Sequence, residues 1–557
     1  MRFSSQPKAT LASLCIALLV VVAYLPSLGR GFVYDDFLLI VDQRVPATFG
    51  DWAGLLSRPY YEGLTYYRPL TWLTFLGQKA LAGDSPTSFH FVNAILAGIV
   101  FLLARALLAA RTFRIAPGAA LLAAALFMLH PVASSCAYPV SGRDTLLATA
   151  FMLAAMIAFL RPGTRWALAG AAFTALGLVT KEMAAAMPLA VLWADATGVG
   201  PYERSSLRRP RPIFLRYGPL AAVLLAYVAI RVGLFSGGEL TFGSLLLAPL
   251  SFLYGLQVTI APFLDLLYEP TVAGWLSYPR LAIVAAAVTI LAFGSIRLDP
   301  GRRRAAAFWA GWFVLTFLPT ANLLKQETLF DERYVFLSTL GPMAVAALIA
   351  SGFELRLSRA LAVAAVALIL VCAATGYHRG QSFEELPFYR QWVTHDPGNY
   401  RAQFNLADAL AARGEIDQAE AHYRESGRLN PRYARVHNGL GTIAIRRNRT
   451  DEAIREFEAA LAVKPDYAKA HNNLGNALAM TGRYEEALGH FRQAVSIDPG
   501  YGIARHNLAR ALLATGRVDE AISELQALLP VSPEPEKVRA TLDKALLLRQ
   551  VSSGGVR

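Results

Sequence analysis

The sequence predicts an all-α chain, a polytopic transmembrane helical bundle of about 11 spans followed by an α-solenoid of repeats. Three observations predict it. Of the 557 residues, 55% are hydrophobic and only 17% charged, against about 25% charged in an ordinary soluble domain. Apolar runs alternate with short loops as far as residue 376, and the chain then turns polar and helical in period. Five prolines, Pro397, Pro431, Pro465, Pro499 and Pro533, follow one another at 34-residue intervals.

A spanning helix needs about 20 apolar residues. Candidate spans are 9–28, 88–109, 116–134, 144–160, 165–180, 183–198, 213–234, 280–296, 305–323, 334–351 and 358–376. The first exceeds the apolar core of a cleaved signal and more spans follow, so it reads as an uncleaved helix. Segment 244–267 is apolar too, but Pro249 and Pro262 predict a break there, and it reads as re-entrant or interfacial. The net charge of +13 comes from basic residues clustered beside apolar runs: Arg111 and Arg114, Arg161 and Arg165, 204–216, 297–304 and 355–359. That is the positive-inside pattern rather than a nucleic-acid surface. It places the N-terminus in the cytoplasm, with loop 29–87 and everything after about 377 outside. Cys15, Cys136 and Cys372 show no CxxC spacing and read as small core residues.

The same topology collects unusual polar residues at the external membrane edge: Asp35, Asp36, Arg68, His130, Arg143, Asp144, Lys181, Glu182, Asp331, Glu332 and Arg333. Ionisable groups at membrane depth are costly, and they mark function more often than chance placement would. Any one of them alone also reads as a helix-end charge.

In the repeats, one frame recurs every 34 residues: Leu406, Leu440, Leu474, Leu508; Ala407, Gly441, Gly475, Ala509; Ala419, Ala453, Ala487, Ala521; Tyr423, Phe457, Phe491, Leu525. Gly414, Asn448, Gly482 and Gly516 hold a turn position. Period and pattern are those of tetratricopeptide repeats, each unit two antiparallel helices. Four units fill about 400 to 535, 536–548 reads as a capping helix and 549–557 as a disordered tail. The first helices offer Asn405, His437, Asn438, His471, Asn472, Asn473 and Asn507 to a groove that can take an extended peptide. A polar solvated face is the plain alternative.

No Walker loop, HExxH, GxSxG or dinucleotide fingerprint is present. The acid pair Asp35–Asp36 in "GFVYDDFLLI" stands out instead. Neighbouring carboxylates compete for charge, so one is held partly protonated, and such a group can act as general base on a hydroxyl. Arginines and a lysine nearby suit a phosphate. The combination suits a membrane glycosyltransferase whose donor is a polyprenyl-phosphate sugar.

The order "GFVYDD", "YYRPL", "HP", "SGRDTLLA", "TKE", "DERYVFLSTLG" and a repeat tail resembles the transmembrane-and-tetratricopeptide O-mannosyltransferases, members of the GT-C superfamily of polytopic glycosyltransferases. The resemblance covers nearly the whole chain. It implies a GT-C-like membrane domain over 1–380, a linker 381–399 and repeats over 400–548. It also implies inverting transfer of a hexose, mannose in that family, to a protein Ser or Thr outside the cytoplasm. Residue by residue, it implies a base role at Asp35 and Asp36 and substrate contacts around His130, Arg143, Lys181, Glu182, Glu332, Arg333 and Tyr334. Arg68 and Asp144 join them as substrate-site candidates. One departure is the lack of an acid shortly after "HP", where this chain reads "HPVASSCAYPVSGR".

The expected partners are a polyprenyl-phosphate-linked sugar, an acceptor protein or peptide on the repeats, and the lipid bilayer, with no nucleic acid. No cofactor is required by the motifs, and a divalent cation on Asp35, Asp36 and Glu182 stays open. Two alternatives also stay open: the same chemistry on a lipid or cell-envelope polymer, and a membrane-anchored repeat scaffold without catalysis.

Overall fold

The computed structural model describes residues 7–29, 39–40, 45–46, 48–57, 67–202, 210–234, 248–260, 278–318, 333, 335–352, 370–375, 385–395, 397–498, 501–529 and 535–554. All regular structure among them is helical. The chain divides into two compact units, Met1–Phe388 and Tyr389–Arg557.

In the first unit, helices occupy ten of the eleven expected positions, among them Pro7–Tyr24, Pro86–Leu108, Arg143–Phe159, Thr164–Leu178 and Pro210–Leu234. Among the described residues, four helices are long and apolar enough to cross a bilayer, or five if one bent pair counts as a single span. The expected eleven is therefore not reached on length and apolarity. Several helices are short, with 15 residues in Thr164–Leu178 and 11 in Met187–Thr197. The eleventh position, 358–376, lies largely outside the described residues. These apolar helices make the chain a membrane protein.

Prolines set the local breaks. Helices Pro117–Leu129 and Pro131–Ala137 meet at 58°, because Pro131 disfavours helical backbone at His130, whose ψ is 140°. In the doubtful 244–267 segment, Ala248–Ile260 is a helix of 13 residues, too short to span. Pro249 does not break it but sits in its first turn, where a proline costs no hydrogen bond; Pro262 lies outside the described residues.

The core of this unit is built from small residues on facing helices with aromatic wedges between them. Trp309 and Trp312 are fully buried, and the Phe127 and Phe336 rings stack at 4.8 Å. Cys136 and Cys372 are buried and Cys15 is exposed, all three as free thiols.

The second unit holds four helix pairs: Tyr400–Ala412 with Ile416–Leu429, Ala434–Arg446 with Thr450–Val463, Ala468–Met480 with Tyr484–Ile497, and Gly502–Ala514 with Val518–Leu528. The turn residue between partners has positive φ in every unit: 81° at Gly414, 57° at Asn448, 79° at Gly482 and 75° at Gly516. Glycine tolerates this region freely and asparagine is the next best. Small residues sit where the sequence pattern puts them. A Cβ added at Gly475 would lie 2.8 Å from the Phe491 ring, so only glycine lets the two helices close on that aromatic. A helix, Glu385–His395, precedes the first pair within the stretch expected as linker. The last helix, Pro535–Gly554, packs on Val518–Leu528 and continues past the expected end of the cap at 548.

Candidate functional site

The site is built where helix ends meet. Arg68 is the residue before helix Pro69–Ala82, whose first turn is pinned to the 179–182 turn. Leu70 N–H donates to the Val179 carbonyl at 3.1 Å, and the Thr71 hydroxyl to the Thr180 carbonyl at 3.1 Å. Asp144 lies in the first turn of Arg143–Phe159, where the helix dipole favours an acid. Lys181 and Glu182 sit between two helices at the start of a tight turn, Glu182–Ala186. Gly142 fixes the approach: a Cβ there would fall 2.2 Å from the Cys136 carbonyl oxygen.

These four side chains form one buried network. Arg68 donates to Asp144 Oδ2 at 2.7 Å and to Glu182 Oε2 from Nε at 3.2 Å and Nη2 at 2.9 Å. Lys181 Nζ donates to Asp144 Oδ1 at 3.3 Å and to the Thr145 hydroxyl at 2.6 Å, and that hydroxyl donates to Asp144 Oδ1 at 2.9 Å. Asp144 and Lys181 are about 5% exposed. Both carboxylates are thus met by charge-assisted bonds, as buried charges must be. One oxygen is different: Glu182 Oε1 is buried and meets no donor among the described residues. Arg333, half-buried, lies in electrostatic range of Asp144. From helix Pro210–Leu234, Tyr227 lies in range of Glu182 and Arg68, with Arg231 beside it and the Tyr67 ring 6.3 Å away.

Two expected substrate residues face elsewhere. Arg143 is 1% exposed. It donates to Asn93 Oδ1 at 3.0 Å and to the carbonyls of Phe89 at 3.1 Å and Thr74 at 3.4 Å, with its guanidinium over the Phe75 and Phe89 rings. It clamps three helices. His130 accepts from Val132 N–H through Nδ1 at 3.2 Å and meets the Thr259 carbonyl through Nε2 at 3.0 Å. That pairing fits a neutral ring with its proton on Nε2, tying the bent helix pair to Ala248–Ile260. Asp35, Asp36, Glu332 and Tyr334 lie outside the described residues. Among the described residues, no three His, Cys, Asp or Glu side chains converge as a metal site would require.

In the repeat unit the expected groove amides bond to one another. Asn473 donates to Asn438 at 2.9 Å, Asn472 to Asn473 at 3.3 Å, and Asn507 to Asn472 at 3.0 Å. They join the first helices of three successive units. Asn405 is half-buried on the first helix. The histidines belong to a second pattern, one tie per unit between residues 19 apart: Gln403–His422 at 2.7 Å, His437–Glu456 at 2.8 Å, His471–His490 at 3.1 Å and Arg505–Glu524 at 3.2 Å.

Comparison with known proteins adds the kinship. Tetratricopeptide-repeat families match residues 438–502 and, separately, 386–443 and 478–545. A protein O-mannosyl-transferase of Caenorhabditis elegans is 23% identical over 446 residues, covering 74% of this chain and 62% of its own length. Protein O-mannosyl-transferase TMTC4 of Homo sapiens is 24% identical over 491 residues, covering 74% and 65%. The chain resembles the transmembrane-and-tetratricopeptide O-mannosyltransferases. It spans a little under two thirds of the length of these relatives. Among solved structures, the Thermus thermophilus tetratricopeptide protein TTC0263 is 22% identical and covers 32% of this chain and 95% of its own, with a TM-score of 0.27.

Sequence reasoning passed over several of the residues that hold this helical framework. Thr145 and Asn93 carried a readable signal, as polar groups inside apolar helices. So did Asp195, whose carboxylate binds Arg216 at 2.5 and 2.8 Å while Tyr217 donates to it; Arg216 also donates to the Phe159 carbonyl at 3.1 Å. Arg216 and Arg231 stand on one helix, about 22 Å apart along its axis at 1.5 Å per residue. The Asp195 knot is therefore a separate clamp at the far end of that helix from the Arg68 network.

Proposed function

We propose that the chain is a GT-C-type membrane glycosyltransferase. It moves a hexose, mannose by its likeness to the named relatives, from a polyprenyl-phosphate sugar to a protein Ser or Thr hydroxyl on the non-cytoplasmic side. The observation that carries this reading is the convergence of Arg68, Asp144, Lys181 and Glu182, which come from three separate sequence motifs, into one buried network at helix ends. Similarity over 74% of the chain to proteins named as O-mannosyl-transferases supports it.

In this reading Asp35 takes the proton of the acceptor hydroxyl. The oxygen forms a bond to the anomeric carbon as the bond from that carbon to the phosphate oxygen breaks. The electron pair leaves with polyprenyl phosphate, and the anomeric centre inverts. Asp36 orients the acceptor. Lys181 and Arg333 are assigned to the developing phosphate charge, which preorganised cations stabilise best in a dry site. Arg143, held by carbonyls, is a positioning residue that fixes the helix bearing Asp144. Glu182 Oε1, a buried acceptor without a donor among the described residues, suits a hydroxyl of the sugar, since leaving it unmet costs about 1–3 kcal/mol. A divalent ion takes six or more oxygens; Glu182 supplies one beside Arg68, and no step here uses a metal.

The test is transfer of label from polyprenyl-phosphate [³H]mannose to envelope protein by purified wild type and Asp35→Asn in lipid. Transfer by wild type alone is expected. Full transfer by the variant would remove Asp35 as base, and no transfer from any donor sugar would remove the enzyme.

A further inference from the structure

The two layers of the repeat unit carry opposite charge. The four first helices hold six basic residues, Arg401, Arg435, Arg446, Lys469, Arg505 and Arg510, and one acid, Asp408. The four second helices hold twelve acids and four basic residues. Helix dipoles account for much of the acidic layer, because seven of its acids sit in first turns. They do not account for the basic one. Arg401, Arg435 and Lys469 occupy the second position of their helices, in one 34-residue register, where the dipole disfavours a cation.

Two of these three cations lie over aromatic rings. Arg435 lies over the Phe404 ring at 4.8 Å and Arg401 over Tyr400 at 5.6 Å, while Tyr400 and Phe404 both pack on Tyr433 at about 5 Å. Lys469 is exposed. The one acid of the layer, Asp408, is half-buried: it accepts from the Tyr423 hydroxyl, lies in electrostatic range of Arg435 and Lys469, and burial still pushes its carboxyl up. The first helices of successive units touch, as the Asn438–Asn473 bond requires. Packed helices lie about 8–10 Å apart, and an extended chain advances about 3.3 Å per residue.

We propose that the first-helix layer docks an extended peptide with an acidic residue at about every third position, one for each of Arg401, Arg435 and Lys469. The inference rests on the reading above in taking the repeats as the arm that holds acceptor protein, and it names the chemistry of that acceptor. The fourth unit places Ile503, exposed, in the same register, so the acidic track ends there against an apolar residue.

The full-length protein in lipid nanodiscs is titrated with three short fluorescent peptides: glutamate at every third position, the same glutamates clustered at one end, and glutamine in their place. The spaced peptide is expected to bind tightest and to weaken with salt. Arg401→Gln/Lys469→Gln is expected to weaken it about tenfold, while Arg455→Gln/Arg492→Gln, which removes two charges from the second helices, leaves it unchanged. Circular dichroism checks the fold, and both variants keep Arg435 on Phe404. Equal binding of spaced and clustered peptides, or equal weakening by both variants, would overturn the register. Loss of capture of phosphatidylserine vesicles in the first variant, with no peptide bound by wild type, would give the face to lipid instead. Binding needs no sugar transfer, so this inference and the transferase reading fail separately.

Discussion

Arg68 and Glu182, 114 residues apart in the chain, meet through two guanidinium N–H groups that converge on the same carboxylate oxygen at 2.9 and 3.2 Å. The guanidinium reaches Asp144 with its remaining arm. Lysine keeps the charge but has no such fork. Arg68→Lys is therefore expected to lower transfer about tenfold, the worth of one lost charge-assisted bond in a transition state. Arg68→Ala strips both carboxylates of their shared partner and is expected to cost about 3 kcal/mol. Labelled-sugar transfer and thermal midpoints in detergent read the two effects.

The Asp195–Arg216 clamp gives a contrasting case. Both side chains are 3% exposed or less. Asp195→Asn leaves a buried guanidinium short of its counter-charge and should cost about 3 kcal/mol. Asp195→Leu with Arg216→Met, which removes both charges, should recover most of that. The unfolding midpoints of the single and double variants decide it; an additive loss would mean the pair acts through something other than its mutual charge.

Packing in the repeats is open to a one-methyl test. Gly475→Ala sets a carbon 2.8 Å from the Phe491 ring and is expected to cost about 1–3 kcal/mol through overpacking. Gly489→Ala, inside helix Tyr484–Ile497 with nothing within 4 Å of the new carbon, should stabilise by about 0.5–1 kcal/mol. Denaturant melts compare them.

Two of the interhelical ties respond to pH with opposite sign. The His437 ring is raised above its usual value, chiefly by its hydrogen bond to Glu456 and against its burial. His490 is lowered, first by burial and then by the charge of His471, against Glu458 and Glu486. By linkage, the His437 contribution is complete below about pH 6.5 and is lost as pH rises through the folded value. The His490 contribution is complete above about pH 6.5 and is lost as pH falls toward its lowered value. Thermal midpoints across that window should show His437→Gln losing its deficit against wild type at alkaline pH, and His490→Gln losing its own at acid pH.

The repeats were legible because their spacing is written directly in the chain, down to Asn448, read as a turn residue and found at φ 57°. The site was legible only in part. Arg68, Asp144, Lys181 and Glu182 announce themselves as charges among apolar residues, but their pairing spans loops whose closure no local pattern records. Arg143 looked like a phosphate ligand because its partners are largely main-chain carbonyls, which leave no mark in a sequence. Arg216 was hidden within a basic run that read as topology. Among the described residues, expected spans outnumber long apolar helices in part because hydropathy windows run through Pro131 and Pro188, where the backbone turns or restarts.

The ties at 19-residue separation carry a further consequence. Geometry makes the four units interchangeable, but Gln–His, His–Glu, His–His and Arg–Glu make each chemically individual. Excising one whole period, residues 468–501, would splice the array without a seam and rejoin the amide chain one step on. The shortened solenoid would lose its His–His joint and keep Gln403–His422, where burial and Arg390 also hold the His422 ring below its usual value, so the number of units sets reach while their order sets where along the arm acid is felt.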